Sequence, residues 1–164
     1  MRAVRRDGGF SLRDYPSLTV AETVQAGSRD VALAAGFVTL ADYFYRGDMD
    51  RPAYPAVSPV LVDADADGGN WRTRFIVSDR IPADMPLPHE EGVRLRALAP
   101  RRVAAVRFSG AADEARFAER EDALRAWIDA AGIEATGPAE YALYNTPYLP
   151  GRLRHNEVLI PVAG

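Results

Sequence analysis

The sequence predicts an α+β fold with a duplicated ββαββ plan: two halves related by pseudo-twofold symmetry, carrying about eight strands and two long helices. Three observations lead there. The stretch Arg101 to Gly132, RRVAAVRFSGAADEARFAEREDALRAWIDAAG, reads as a strand, a tight turn and an amphipathic helix. An earlier copy runs from Tyr15 to Gly47, where Pro16 precedes a strand ending at Gly27, just as Pro100 precedes the strand ending at Gly110. Short runs complete the copies at Val60 to Asp63, Trp71 to Val77, Tyr141 to Asn145 and Glu157 to Val162, each too brief for a helix. The chain thus reads as one domain, 1–164, with half-repeats at 1–77 and 93–164 and a linker at 78–92.

Taken in order, Phe10 and Leu12 alternate with Arg13 and Tyr15 in a first strand, and Pro16-Ser17 turns into a second, Leu18 to Gln25. In that second strand Leu18, Val20, Glu22 and Val24 share a face. Glu22 is the odd member, and either sits inside, where a carboxylate needs a partner or a raised pKa, or lies at a wet edge. Ser28 or Asp30 is a candidate cap for a helix running to about Arg46, whose stripe of Val31, Ala34, Ala35, Val38, Ala41 and Phe44 or Tyr45 is expected to face the sheet. Gly47 to Pro59, with three prolines, is loop. In the hairpin turn DADADGGN, Asp63, Asp65, Asp67 and Gly68 match the opening of a calcium loop, but Arg74 stands where the twelfth-position Glu belongs, so a solvated turn is expected. Val93, Leu95 and Ala97 alternate with Arg94 and Arg96. In the Arg101 unit, Ala104, Val106 and Phe108 form one strand face, Asp113 caps the helix, Phe117, Leu124, Ile128 and Ala131 form its buried stripe, and Gly132 stops it.

Composition narrows the function. Hydrophobic residues are 48% and charged residues 26%, as in a globular domain. Net charge is −3, and the 20 basic residues are all arginine, scattered rather than gathered, which points away from nucleic acid. The absence of cysteine removes disulfides, thiolate metal sites and a Cys nucleophile. No window approaches the length of an apolar membrane span, and a cytoplasmic location is expected.

Several segments together resemble the SOUL haem-binding protein family: RRDGGFSLRDYPSLTVAET, the helix ending LADYFYRG, SPVLV, VRFSGAADEARFAEREDALRAWI and YALYNTPYLPGRLRHNEVLIPV, in that order and spacing. The likeness covers nearly the whole chain, and its C-terminal block is the most specific part. It implies a distorted eight-stranded β-barrel flanked by two long helices, similar to the gyrase-inhibitor-like effector-binding domains of bacterial regulators. It also implies a non-catalytic carrier or buffer that binds haem or a related tetrapyrrole in a shallow apolar groove.

On this sequence that groove corresponds to Val38, Ala41, Asp42 and Tyr45 on the first helix and to Tyr148 and Leu149 in the late loop. Arg46, Arg51, Arg152 and Arg154 are candidates for the propionates. Where family members often carry Met-Thr-x-Pro-Val, this chain has Ala56 to Val60, and Leu149 replaces a basic residue. His155, beside the groove, is the candidate axial ligand for haem iron, and His89 falls in the linker. A competing reading is the binding of a cationic or amphipathic small molecule, or its hydrolysis, in a carboxylate-containing cleft. There Glu157, with Glu22 and Tyr141 or Tyr144, would supply a general base and an orienting phenol.

Overall fold

The protein is described by a computed structural model that covers residues 2–45, 56–65, 68–77, 92–145 and 149–164. Nine strands and two long helices follow one another: β1 (Arg2–Asp7), β2 (Phe10–Tyr15), β3 (Leu18–Ala26), α1 (Arg29–Tyr45), β4 (Ala56–Ala64), β5 (Asn70–Val77), β6 (Arg94–Leu98), β7 (Arg101–Ser109), α2 (Glu114–Ala130), β8 (Glu140–Leu143) and β9 (His155–Val162). The α+β class holds. The strand beyond the expected eight is β1, whose RAVRRD has no buried face to give it a period, since all six residues are exposed; only its ladder to β2 makes it a strand. No described helix is long and apolar enough to cross a membrane.

The chain forms two compact units, Met1–Ser17 with Ala99–Gly164, and Leu18–Leu98. The first holds β1, β2, β7, α2, β8 and β9, and the second β3, α1, β4, β5 and β6. In the Leu18–Leu98 unit β5 pairs with β4 on one side and β3 on the other, and β3 pairs in turn with β6, all antiparallel. In the other unit β7 lies between β2 and β9, β9 pairs with β8, and β1 extends β2, again antiparallel. Thus β2, which precedes β3 by two residues, pairs with β7, while β6, which precedes β7, pairs with β3. The sequence halves 1–77 and 93–164 therefore differ from the compact units in where their first strands go.

In the Leu18–Leu98 unit α1 lies on the sheet face of Ala21, Phe75 and Leu95, which with Leu40, Tyr43, Phe44 and Val93 form the core. Gly36 allows the close approach. A Cβ there would stand 2.6 Å from Thr73 Oγ1 and 2.8 Å from Thr73 Cβ, so only a glycine fits against β5. This overturns the expected orientation of the helix. The buried side is Arg29, Ala32, Gly36, Leu40, Tyr43 and Phe44. Of the expected stripe only Phe44 is inside, while Val31 and Val38 are each 62% exposed and Tyr45 54%. A helix apolar on both sides has no period that tells one face from the other; the hollow at Gly36 decides which one the sheet receives.

The α2 unit follows its sequence pattern closely. Ala104, Val106 and Phe108 join Phe117, Leu124, Ile128, Val158, Ile160 and Val162 in one core. Asp113 has extended backbone and its carboxylate accepts from Arg116 N at 2.9 Å. Gly132, at φ +65°, closes the helix: its N–H donates to Asp129 O and that of Ile133 to Ile128 O. The strands before both helices end alike, at Gly27 (φ +109°) and Gly110 (φ +122°).

Candidate functional site

Strand alternation sorts the α2 unit into a helix-covered face and a polar one. On β9, Val158, Ile160 and Val162 face α2, so His155 and Glu157 take the other side; on β2, Phe10 and Leu12 face α2, so Ser11, Arg13 and Tyr15 do the same. Glu157 is buried, 2% exposed. Arg13 grips it with both terminal nitrogens, Nη1 to Oε2 at 2.7 Å and Nη2 to Oε1 at 2.9 Å. The Tyr144 hydroxyl donates to Oε2 at 2.8 Å, and His155 Nε2 lies 3.2 Å from Oε1. The His155 ring stacks on Tyr144, centroids 4.1 Å apart and planes within 2°. Arg13 Nε donates to Ser11 Oγ, which fixes the guanidinium from behind.

The electrostatics follow from these contacts. Burial pushes the Glu157 carboxyl up, but the Arg13 hydrogen bonds and charge, with the bonds from Tyr144 and His155, outweigh it and hold the carboxyl below its ordinary value. The Tyr144 phenol is pushed well up, by burial first and then by the charge of Glu157, so it remains a donor. Arg13 is raised chiefly by its bond to Glu157. A carboxylate with four donors on its two oxygens and a depressed pKa is a poor general base. The cluster orients groups and closes the charge.

Glu22 has its own partners in the other unit. It is buried, and faces Arg74 across the β3–β5 ladder, with Arg74 Nε donating to Oε2 at 3.1 Å and Arg96 Nη1 3.4 Å from Oε1. Arg74 also reaches Asp63 at 2.8 Å, and Arg72 reaches Asp63 at 3.0 Å and Asp65 at 3.4 Å. Of the two readings of Glu22, the buried and partnered one holds. In the turn that resembles a calcium loop, Asp63 and Asp65 are engaged by arginine, and among the described residues no group of three His, Asp or Glu is placed to hold a metal. Asp67 lies outside the described residues.

Tyr141 and Tyr144 part company. Tyr141 faces α2, where its hydroxyl donates to Glu121 at 2.7 Å, so it is not beside Glu157, whereas Tyr144 is. Glu140 is paired with Arg101. Arg154 Nε donates to the carbonyl of Leu149, which is half-buried, and Arg152 is exposed. Arg46, Arg51, Tyr148 and His89 lie outside the described residues. On α1, Val38 and Tyr45 are exposed and Ala41 and Asp42 half-buried, on one outer face with Val31 and Ala34; Phe37, 43% exposed, flanks it. Arg13 was not foreseen, since nothing local in SLRDY points to a carboxylate 144 residues away. A shallow pocket of about 290 Å³ lined by Asp14, Tyr15, Pro100, Arg101, Arg102 and Gly164 has its arginines committed to Glu140 and Asp14.

A family model described as SOUL heme-binding protein matches residues 2–161, nearly the full length that carries these elements. The chain belongs to the SOUL heme-binding family. No curated protein matches it. Among solved structures, this SOUL chain is similar to the EcmrR C-terminal domain at 13% identity and TM-score 0.67, covering 94% of this chain and 96% of that one. It is similar to SAV2435 bound to tetraphenylphosphonium at 18% and 0.57, covering 94% of each, and to a hydrolase from Listeria innocua at 13% and 0.61, covering 98% and 94%. At such identities the likeness is one of fold.

Haem asks a protein for apolar cover on its ring, cations for its propionates and, where iron is held, an axial donor. The outer face of α1 fits the first need. For the third, His155 is the one histidine among the described residues, and its Nε2 is turned to Glu157.

Proposed function

We propose that this SOUL protein binds haem or a related tetrapyrrole against the outer face of α1, as a non-catalytic carrier or buffer. The observation that carries the reading is the run of exposed apolar side chains Val31, Ala34, Val38 and Tyr45 on a helix whose other side is already buried, in a family described as heme-binding. The ring lies on the valines and alanines, and Tyr45 stacks at one end. Arg46 and Arg51, which follow the helix in sequence, are the cations for the propionates. Bound haem would supply an iron with axial positions to fill; the chain's own part is to cover the ring and pair its carboxylates. His155, held by Glu157 and stacked on Tyr144, is kept out of the ligand role in this reading. The duplicated ββαββ plan and its barrel closure belong to the same proposal, as the scaffold that presents α1.

The alternative of a cationic ligand or a hydrolytic carboxylate in a cleft is less well supported, because Arg13 already neutralises Glu157 and fills its acceptor sites.

Titration of the protein with haemin and with metal-free protoporphyrin tests the reading. Saturable one-to-one binding of both with similar affinity is expected, with the Soret band of the haemin complex unchanged by His155→Ala. A shifted band would give the iron to His155. Absence of binding by either porphyrin would sink the tetrapyrrole reading.

A further inference from the structure

We propose that His155 is a phosphoryl acceptor, whose Nδ1 takes the phosphoryl group of a small phosphoramidate-type donor. The site belongs to the unit that holds α2, and it does not rest on the tetrapyrrole reading, which concerns α1 in the other unit.

The first observation is which ring nitrogen is free. Arg13 holds Glu157 as a carboxylate, which can only accept, so the His155 nitrogen 3.2 Å from it, Nε2, carries the proton. In the neutral ring that tautomer leaves the lone pair on Nδ1. Nδ1 has no hydrogen-bond partner among the described residues and is not sealed from water, the side chain being 26% exposed. The second observation is fixity. The ring lies flat on Tyr144, planes within 2°, and the Tyr144 hydroxyl is tied to the same carboxylate, so two contacts set the direction of the lone pair. A nucleophile whose far nitrogen is held by a further group is an activated imidazole.

The third is charge. Attack by Nδ1 makes the ring cationic, and the carboxylate at Nε2 answers that charge. Alone, Glu157 would repel the oxygens of an incoming phosphate, but Arg13 already cancels it. On the same sheet face Arg107 stands opposite Glu157 in the β7–β9 ladder, and Ser109, two residues on, stands opposite His155. Arg107 is exposed and pairs with no carboxylate among the described residues, which leaves its guanidinium for the phosphoryl oxygens. In the step, the Nδ1 lone pair bonds to phosphorus as the P–N bond of the donor breaks. Ammonia leaves with that electron pair and the protons it already carries, while the Nε2 proton stays on the ring beside Glu157.

Potassium phosphoramidate is the probe, and His89, the chain's other histidine, is the internal reference. In the folded full chain, peptide mass spectrometry is expected to find His155 phosphorylated about tenfold faster than His89 or more, and phosphorus–nitrogen NMR correlation to place the group on Nδ1. In concentrated urea the two histidines should react alike, since the fold alone aims the lone pair. Arg107→Ala should slow the reaction at His155 by about threefold or more with unchanged circular dichroism. A phosphoryl group on Nε2, equal rates at the two histidines in the folded chain, or a preference that survives urea overturns the proposal. An Arg107→Ala rate equal to the parent's overturns the part given to that arginine.

Discussion

Arg13 and Glu157 are the two residues whose meaning changes most between the chain and the fold. The pair is bidentate, almost out of water, and completed by Tyr144 and His155. Removing one partner of such a pair strands the other, at a cost of about 3–5 kcal/mol. Arg13→Met is therefore expected to lower stability by that order in urea denaturation at pH 7. In the parent, Glu157 is held below its ordinary 4.5, so its contribution is present above about pH 4.5 and is lost as pH falls through the folded value. In Arg13→Met the bonds and charge of the guanidinium are gone, burial is opposed only by the bonds from Tyr144 and His155, and the carboxyl rises, so the defect should shrink between pH 7 and pH 5, the opposite trend. A defect constant across that range would mean that Glu157 does not carry it. Arg13 was illegible in the sequence because a salt bridge between distant strands leaves no local mark, while Glu22 was legible as an anomaly and needed only the ladder to name its partner, Arg74.

At the scale of the element, the two helices show what local pattern can and cannot fix. The start, stripe and stop of α2 are all written in its residues, because one face is charged and the other is not. Asp113→Ala should cost about 1 kcal/mol through loss of the cap to Arg116 N, read as a lower thermal midpoint with the fold retained. In α1 the length was legible and the orientation was not. Gly36→Ala tests the observed packing, since its Cβ would meet Thr73 at less than 3 Å and force the helix off β5, for an expected loss of about 1–3 kcal/mol. A gain in stability, as expected for glycine to alanine on an exposed helix face, would mean that Gly36 does not face the sheet. The same orientation places Val38 outside, so Val38→Glu should leave the unfolding free energy within about 0.5 kcal/mol of the parent while weakening porphyrin binding by about tenfold or more.

For the whole molecule, the pairing of β2 with β7 ties residues near the start of the chain to those beyond residue 100. Deleting residues 2–15 removes β1 and β2 together, opens β7 as an unpaired edge and strips Glu157 of Arg13. The truncated chain is expected to lose cooperative unfolding of the α2 unit and to aggregate. A truncated protein with the parent's thermal midpoint would show that β2 is dispensable. Such long-range pairing also slows folding relative to a helical bundle of this length.

By itself the sequence determined the class, the two long helices, the caps of α2 and most of the strands, because each rests on period, turn chemistry or a capping group within a few residues. The likeness to the SOUL family was equally legible, being a matter of ordered segments. The tertiary structure alone decided which face of α1 meets the sheet, that β2 and β6 pair with β7 and β3, and that Glu157 is clamped by Arg13. Those outcomes depend on which surfaces meet, and a hollow at Gly36 or a guanidinium 144 residues from its carboxylate becomes a cause only once the strands have brought them together.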